Sequence, residues 1–207
     1  MTTRCPTIHQ PTSRLFRVLV ALLAVNLLAA CAPVLIGSAA ATGGVVAHDR
    51  RTTGSLVEDQ TIGFKIRDRF DVEHGFTSDN ADIGVDSFNG LVLLTGTVTD
   101  DKLRKSAEEL ARQVEKVRIV YNEIRVGPAS STESDGNDLL ITTLAKAELF
   151  HVDGHDSVDP LRVSVTTNGG TVYLMGLLTR AEADAVTEEV RHIRGVKKVI
   201  RLFEYLD

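Results

Sequence analysis

An internal repeat with a spacing of about 80 residues constrains the fold more than any other feature of the sequence. Residues 89–99 (NGLVLLTGTVT) and 169–179 (GGTVYLMGLLT) agree at five of eleven positions, two of which are glycines. Upstream, Asp59 corresponds to Asp138. A repeat of this length predicts two copies of one structural unit. The matching pairs are Gly90 and Gly170, Val92 and Val172, Leu94 and Leu174, Gly96 and Gly176, and Thr99 and Thr179.

Both copies predict the same order of elements. In the first copy, Ile62, Ile66 and Phe70 recur every four residues and predict one apolar face of a helix. Alternating apolar residues on both sides of Asn89-Gly90 predict a hairpin, because a type I′ turn requires positive φ at both central residues. A second helix after Asp100 and a last strand complete an α-β-β-α-β unit.

The predicted fold class is α+β, with two tandem α-β-β-α-β domains, each a three-stranded mixed sheet packed on two helices. The hairpin glycines are assigned structural roles, either in the turn or where a helix approaches the sheet closely. These glycines are Gly90, Gly96, Gly170 and Gly176. The predicted boundaries are 1–30 for a signal segment, 31–54 for a flexible tether, 55–126 for the first domain, 127–136 for a linker and 137–207 for the second domain.

The N-terminal residues 1–30 carry three arginines and no acid, followed by an apolar run at residues 18–28. This arrangement is typical of an export signal. Leu28-Ala-Ala-Cys31 resembles the bacterial lipobox, which predicts cleavage before Cys31 and acylation of its thiol. Because residues 18–47 hold no charged side chain, an uncleaved membrane span is the alternative. Pro33 and the Gly/Ala-rich residues 37–44 count against one continuous helix.

Charge and chemistry exclude several function classes. Loss of the three arginines of the signal would change the net charge from -5 to -8, which argues against a nucleic-acid binder. Cys5 would be lost and Cys31 acylated, so cysteine catalysis and redox chemistry are excluded. His151, Asp153, His155 and Asp156 are of metal-ligating types, but their loop lacks a fixed ligand geometry. We therefore predict no enzyme activity, no metal and no cofactor.

A Gly-x-Val-x-Leu-x-Gly hairpin inside an α-β-β-α-β unit resembles the BON domain. Two such units behind a lipobox resemble the DolP or YraP family of outer-membrane lipoproteins. Ala32 after the cysteine resembles the enterobacterial signal for transfer to the outer membrane. The segments that fit the family are 49–54 (DRRTTG), 120–125 (VYNEIR), 137–138 (ND) with 141–143 (ITT), 165–167 (VTT), 173–177 (YLMGL) and 195–199 (GVKKV).

The resemblance implies a non-enzymatic protein, lipid-anchored in the inner leaflet of the outer membrane and facing the periplasm. It also implies support of envelope integrity, association with division sites, and binding of anionic phospholipid through the first helix of the second domain. The family pattern has an aromatic anchor where this chain has Leu140. Leucine lacks the preference of tryptophan for the membrane interface.

A helical wheel independently marks that helix as apolar on nearly all sides. Ile141, Leu144, Ala145 and Leu149 are predicted to face the domain core. The far side of the equivalent helix in the first domain is mostly polar. A second apolar face predicts either packing against the first domain or contact with lipid. The residues predicted to contact phospholipid are Leu139, Leu140, Thr143, Ala147 and Phe150.

A basic run near the C-terminus offers contacts for lipid headgroups. The candidates are Arg191, Arg194, Lys197 and Lys198, in a stretch from 190 to 203 that has no acid. The alternative is a solvated helix end, where cations are favoured. A second function hypothesis treats the protein as an interaction module that is tethered by Cys31 and recruits or regulates envelope or division proteins.

Overall fold

The computed structural model describes residues 49–72, 75–128, 132–151 and 159–207. The predicted signal segment 1–30, Cys31 and the histidine loop from residue 152 to 158 lie outside these ranges. Residues from Gly44 to Asp207 belong to one compact unit. Within the described ranges, no helix combines the length and hydropathy that crossing a bilayer would require.

The first domain places two helices beside a sheet of mixed direction. Strand β1 pairs antiparallel with β2, and the last two short strands pair parallel with β2. The predicted last strand is therefore split in two. The elements are α1 (Thr53–Val72), β1 (Ala81–Phe88), β2 (Leu91–Val98), α2 (Asp101–Arg112), β3 (Ile119–Asn122) and β4 (Arg125–Val126).

The second domain repeats this architecture. Strand β5 pairs antiparallel with β6, which pairs parallel with β7. The predicted α-β-β-α-β order is confirmed in both copies. The elements are α3 (Thr132–Glu148), a short 3₁₀ turn (Leu149–His151), a second 3₁₀ turn (Pro160–Arg162), β5 (Val163–Asn168), β6 (Thr171–Leu178), α4 (Arg180–Arg191) and β7 (Lys198–Tyr205).

Each domain has a hydrophobic core between its helices and one face of its sheet. Ile62, Ile66 and Phe70 of α1 are buried against β2 in the first core, as the spacing of four residues predicts. The corresponding side chains of α3 are buried in the second core. Ile66, Ile141 and Ala145 are completely buried. One face of each helix is therefore committed to its own domain.

The opposite faces of the two sheets pack on each other. Phe88 and Leu93 of the first domain meet Tyr173, Met175 and Leu202 of the second in a third buried cluster. The layers thus run helices, sheet, sheet, helices. Removing a side chain such as Leu93 from water is worth roughly 1.5–3 kcal/mol, so this cluster is the main apolar contact between the domains.

Residues 49–54 do not form part of a flexible tether, which corrects the predicted boundary at 54. Nη1 and Nη2 of Arg50 donate to the Glu182 carboxylate of the second domain at 2.6 and 2.8 Å. Arg51 donates to Asp59 of the first domain at 2.8 Å, and its guanidinium lies 3.9 Å from the centre of the Phe88 ring. These contacts supply cations to buried carboxylates. We call residues 49–51 the strap.

Two of the hairpin glycines lie in the turns, as the sequence predicts, but a third has a role that was not predicted. Gly90 and Gly170 have positive φ values of 75° and 80° in the hairpin turns. Gly96 was predicted to let a helix approach the sheet. Instead, a Cβ on Gly96 would lie 1.9 Å from the carbonyl oxygen of Asp82, so the close neighbour is strand β1.

Candidate functional site

A buried carboxylate fixes the position of α3 against its hairpin. Asp138 accepts hydrogen bonds from the backbone N–H of Gly169 at 2.6 Å and of Gly170 at 2.9 Å. The helix begins at Thr132, six residues before Asp138 and inside the predicted linker 127–136. Asp138 therefore anchors the body of the helix to the turn, and the predicted domain boundary at 137 falls inside the helix.

Two further contacts set the rotation of α3 about its axis. Oγ1 of Thr142 donates to Oγ1 of Thr167 on β5 at 2.8 Å. Gly195 has φ 98°, and a Cβ there would lie 3.1 Å from Cδ1 of Ile141. The missing side chain at this turn lets Ile141 enter the core. The face of α3 that remains outside is determined by these contacts.

That outer face is apolar and open to solvent. Leu139, Leu140 and Phe150 are 68%, 56% and 70% exposed. Leu144 was predicted in the core but is 38% exposed, because it lies at the border between the two faces. Oγ1 of Thr143 donates to the carbonyl oxygen of Leu139 at 2.8 Å, which satisfies the only polar side chain in the group. The α3 face consists of Leu139, Leu140, Thr143, Leu144, Ala147 and Phe150.

The α3 face does not pack against the first domain. The sheet-to-sheet cluster joins the domains, while the leucines on the outer face of α3 stay exposed. The interpretation that the first domain covers this face is therefore wrong. Near-continuous apolar runs in β2 and β6 were the sequence signal for this arrangement, since strands buried on both faces lack alternation.

Helix α1 provides an internal comparison. Asp59 accepts from the backbone N–H of Asn89 at 2.6 Å and of Gly90 at 2.9 Å, as Asp138 does in the second copy. Helix α1 also exposes Val57, Phe64 and Val72 on its otherwise polar far side. These residues are seven or eight positions apart, whereas the apolar residues of the α3 face follow one another closely. Only α3 presents a continuous apolar surface among the described helices.

The structure separates the candidate basic residues into two groups. Arg191 pairs with Glu188 at 2.7 Å at the end of α4. Lys197 donates through Nζ to the carbonyl oxygen of Gly169 at 3.0 Å, which brings it to the turn that holds Asp138. Arg194 and Lys198 are exposed on either side of it. The part of the chain that the structure describes contains no group of three His, Cys, Asp or Glu residues that could hold a metal ion.

Comparison with known proteins gives a consistent result. The BON domain family matches residues 58–128 and 139–207. The chain is 37% identical to the outer membrane lipoprotein DolP of Haemophilus influenzae, over 86% of this chain and 89% of that protein. It is 34% identical to a 21 kDa hemolysin of Actinobacillus pleuropneumoniae, over 76% of this chain and 79% of that protein.

A third relative shares the same level of identity. It is an uncharacterized protein from the gshII 5′ region of Anaplasma centrale, 34% identical over 70% of this chain and 92% of that protein. Two BON matches on two repeated domains, with 37% identity over most of the chain, agree with the architecture described above. The chain belongs to the BON-domain family and, within it, to the dual-domain DolP/YraP proteins.

Proposed function

We propose that this protein is an outer-membrane lipoprotein that binds anionic phospholipid through the α3 face and helps maintain the integrity of the cell envelope. Cys31 anchors it in the inner leaflet, and the folded unit faces the periplasm. Binding to anionic lipid concentrates it at division sites, where such lipids gather. The observation that carries the proposal is the exposure of Leu139, Leu140 and Phe150 in a molecule whose domain cores and interdomain contact are already complete.

The size of the apolar face supports lipid contact. Removing each leucine or phenylalanine of the α3 face from water is worth roughly 1.5–3 kcal/mol. A helix that carries such a face lies in the plane of the membrane interface, with its apolar side in the acyl region. The buried side of α3 stays attached to its sheet through Asp138 and Ile141, so the helix can make this contact without unfolding the domain.

The relatives support the location. The Haemophilus influenzae relative is called an outer membrane lipoprotein, and the match covers most of both chains. A lipobox-like Leu28-Ala-Ala-Cys31 at the end of an apolar run fits the same assignment. Two or more acyl chains give stable attachment, whereas one chain gives reversible binding. In this arrangement the lipid chains supply the anchoring, and the α3 face supplies selectivity for anionic lipid.

Vesicle co-sedimentation of the compact unit Gly44–Asp207 tests the proposal, because this unit contains both cores and lacks Cys31. Vesicles of phosphatidylcholine alone are compared with vesicles that also contain phosphatidylglycerol. We expect binding only to the second, and a loss of roughly tenfold or more for Leu140→Glu, since a carboxylate must leave water to enter the interface. The matched control is Phe64→Glu, which adds the same charge at a site on α1 that is 70% exposed, compared with 56% for Leu140.

The outcomes discriminate between the hypotheses. Equal binding by the native unit and Leu140→Glu rules out the α3 face as the lipid contact. Equal losses in Leu140→Glu and Phe64→Glu indicate a charge effect with no defined surface. If Leu140→Glu abolishes photo-crosslinking to envelope proteins while vesicle binding is unchanged, the protein is instead an interaction module tethered by Cys31.

A further inference from the structure

The two hairpin turns are related by the repeat, and each is contacted by the other domain. In both copies a cation one residue before a strand lies over the turn. Arg118 precedes β3, and its backbone N–H donates to the carbonyl oxygen of Gly90 at 2.8 Å. Lys197 precedes β7, and its backbone N–H donates to the carbonyl oxygen of Gly170 at 2.8 Å. The residue that reaches across from the partner domain is Glu204 at the first turn and Arg125 at the second. Arg125 and Glu204 are equivalent, since they pair with Thr97 and Leu177 at matching positions of the central strands.

The first junction, at the turn of Asn89 and Gly90, is electrically neutral. Nη1 of Arg118 donates to Oε1 of Glu204 at 2.7 Å. Nδ2 of Asn89 donates to Oε2 of the same carboxylate at 2.5 Å. The cation that lies over this turn is therefore paired with an acid from the second domain.

At the second junction, the turn of Gly169 and Gly170, the residue that reaches across from the other domain is the cation Arg125 instead of an acid. A Cβ on Gly169 would lie 2.7 Å from Nη1 of Arg125, so the guanidinium packs directly against the backbone of this glycine. A Cβ on Gly170 would lie 3.0 Å from Cδ of Lys197. Two cations, one from each domain, thus converge on one turn. Within the described ranges, no ion pair joins either of them to an acid.

The described acids nearest to this turn are not paired with Arg125 or Lys197. Asp138 is only 8% exposed, and its carboxylate accepts from the two glycine amides. Glu123 accepts a long hydrogen bond from the Tyr173 hydroxyl at 3.4 Å, on the interdomain face. Lys198 adds a further exposed cation next to Lys197. Arg125 and Lys197 therefore lie at the 169–170 turn without a carboxylate partner within the described ranges, beside the body of α3 and next to a cavity lined by Asp86, Asp135 and Asp138.

We propose that Arg125 and Lys197 form a binding site for the phosphate group of an anionic phospholipid headgroup, with Arg125 supplied by the first domain. The site deepens the proposed function and rests on it. Leu139 and Leu140 follow Asp138 directly, so a phosphate held at the 169–170 turn lies within one helical turn of the inserted side chains. The divergence of Arg125 from Glu204 places a second cation at the 169–170 turn, where the equivalent turn of the first domain has an acid.

The test uses the compact unit Gly44–Asp207 and the same two vesicle compositions. The junction variant is Arg125→Gln with Lys197→Gln. The control is Arg191→Gln with Arg201→Gln, which removes the same charge from cations paired with Glu188 and Asp184. We expect the junction variant to bind phosphatidylglycerol vesicles roughly 10- to 30-fold more weakly, at about 1 kcal/mol per cation near the surface, and the control to lose less than about threefold.

Each outcome bears on the proposal. Equal losses in the two double variants, or an unchanged junction variant, overturn the site. If Leu140→Glu loses binding while the junction variant does not, the site fails and the proposed function stands; if Leu140→Glu also binds normally, both fail. Shifts of the Gly169 and Gly170 amide signals on addition of glycerol phosphate without vesicles would assign the junction to a small soluble anion. Should the double variant unfold, Lys197→Gln alone gives the same comparison with half of the charge removed.

Discussion

At the scale of single residues, Gly96 and Gly176 occupy one position of the repeat but face different constraints. Gly96 has φ 108°, and a Cβ there would lie 1.9 Å from the carbonyl oxygen of Asp82. A Cβ on Gly176 would lie 2.8 Å from the carbonyl oxygen of Arg162, and this residue has no positive φ. Only the first glycine is required on both steric and conformational grounds.

We therefore expect Gly96→Ala to lower the free energy of unfolding by roughly 3 kcal/mol or more, through backbone strain and overpacking together. Gly176→Ala should lower it by about half as much, because strand movement can relieve a single contact. Urea denaturation of both variants measures the difference. Gly127→Ala, with nothing within 4 Å of the new methyl group, is the control. Equal effects at 96 and 176 would contradict the distinction.

Glu182 is a buried carboxylate whose titration affects stability. Burial by itself raises its pKa, but hydrogen bonds from Arg50 and from the backbone N–H of Thr179 outweigh burial and lower the pKa to about 2. Because the folded-state pKa lies below the ordinary value, the charged form stabilises the fold. This stability is complete above pH 4.5 and is lost as the pH falls from 4.5 towards 2.

The expected result is a fall in the free energy of unfolding of up to about 3 kcal/mol between pH 5 and pH 2 that depends on Glu182. Glu182→Gln should be less stable at pH 7 and should lose much less stability on acidification than the native protein. Urea denaturation at several pH values provides the measurement, with Glu188→Gln, in an exposed pair, as the control. If the free energy of unfolding of Glu182→Gln depends on pH as it does in the native protein, the Glu182 carboxylate is not the cause of the acid destabilisation.

At the scale of elements, the repeat predicted the fold more reliably than local signals predicted boundaries. Residues 127–136 contain Gly, Pro, Ser and Asp and were interpreted as a linker, yet α3 begins at Thr132. Asp138 resembles a helix cap in sequence because capping and accepting from a distant turn use the same side chain. Periodicity identified Ile141, Ala145 and Leu149 correctly, since core burial follows the helical period directly.

The candidate site could be predicted only in part, because its exposure depends on the packing of elements distant in sequence. The wheel identified the outer residues of α3, but not whether the first domain covers them. That depends on Phe88, Leu93, Tyr173 and Met175, which direct the two sheets toward each other. The contact of Arg125 with the 169–170 turn could not be predicted from the sequence either, because a residue on β4 meets this turn only when the two sheets pack together.

At the scale of the whole molecule, the two domains are joined by a small apolar cluster, by the strap and by polar contacts such as those of Glu204 with Asn89 and Arg118. Met175 is completely buried in this cluster, together with Leu93. Arg50 and Arg51 add one polar link to each domain. Stability of each domain should therefore depend on the other, since units of about 70 residues bury small cores.

Calorimetry tests this coupling. We expect the unit Gly44–Asp207 to unfold in one transition, and Met175→Asp to separate it into two or to lower the transition temperature markedly, because the variant buries an unpaired charge in the interdomain contact. Leu161→Asp, on the exposed side of the same domain, should change neither feature. Two transitions in the native unit would mean that the domains unfold independently.

The strap also determines how a mechanical load enters the molecule. A pull on the chain before Asp49 reaches Arg50 and Arg51 first, and these residues pass it to Glu182 in one domain and Asp59 in the other. The force is thus divided between the domains in parallel and does not have to travel through the first domain and residues 127–131 in series. A lipid anchor upstream of the strap would therefore hold both domains at once, and tension on it would reach the second domain directly.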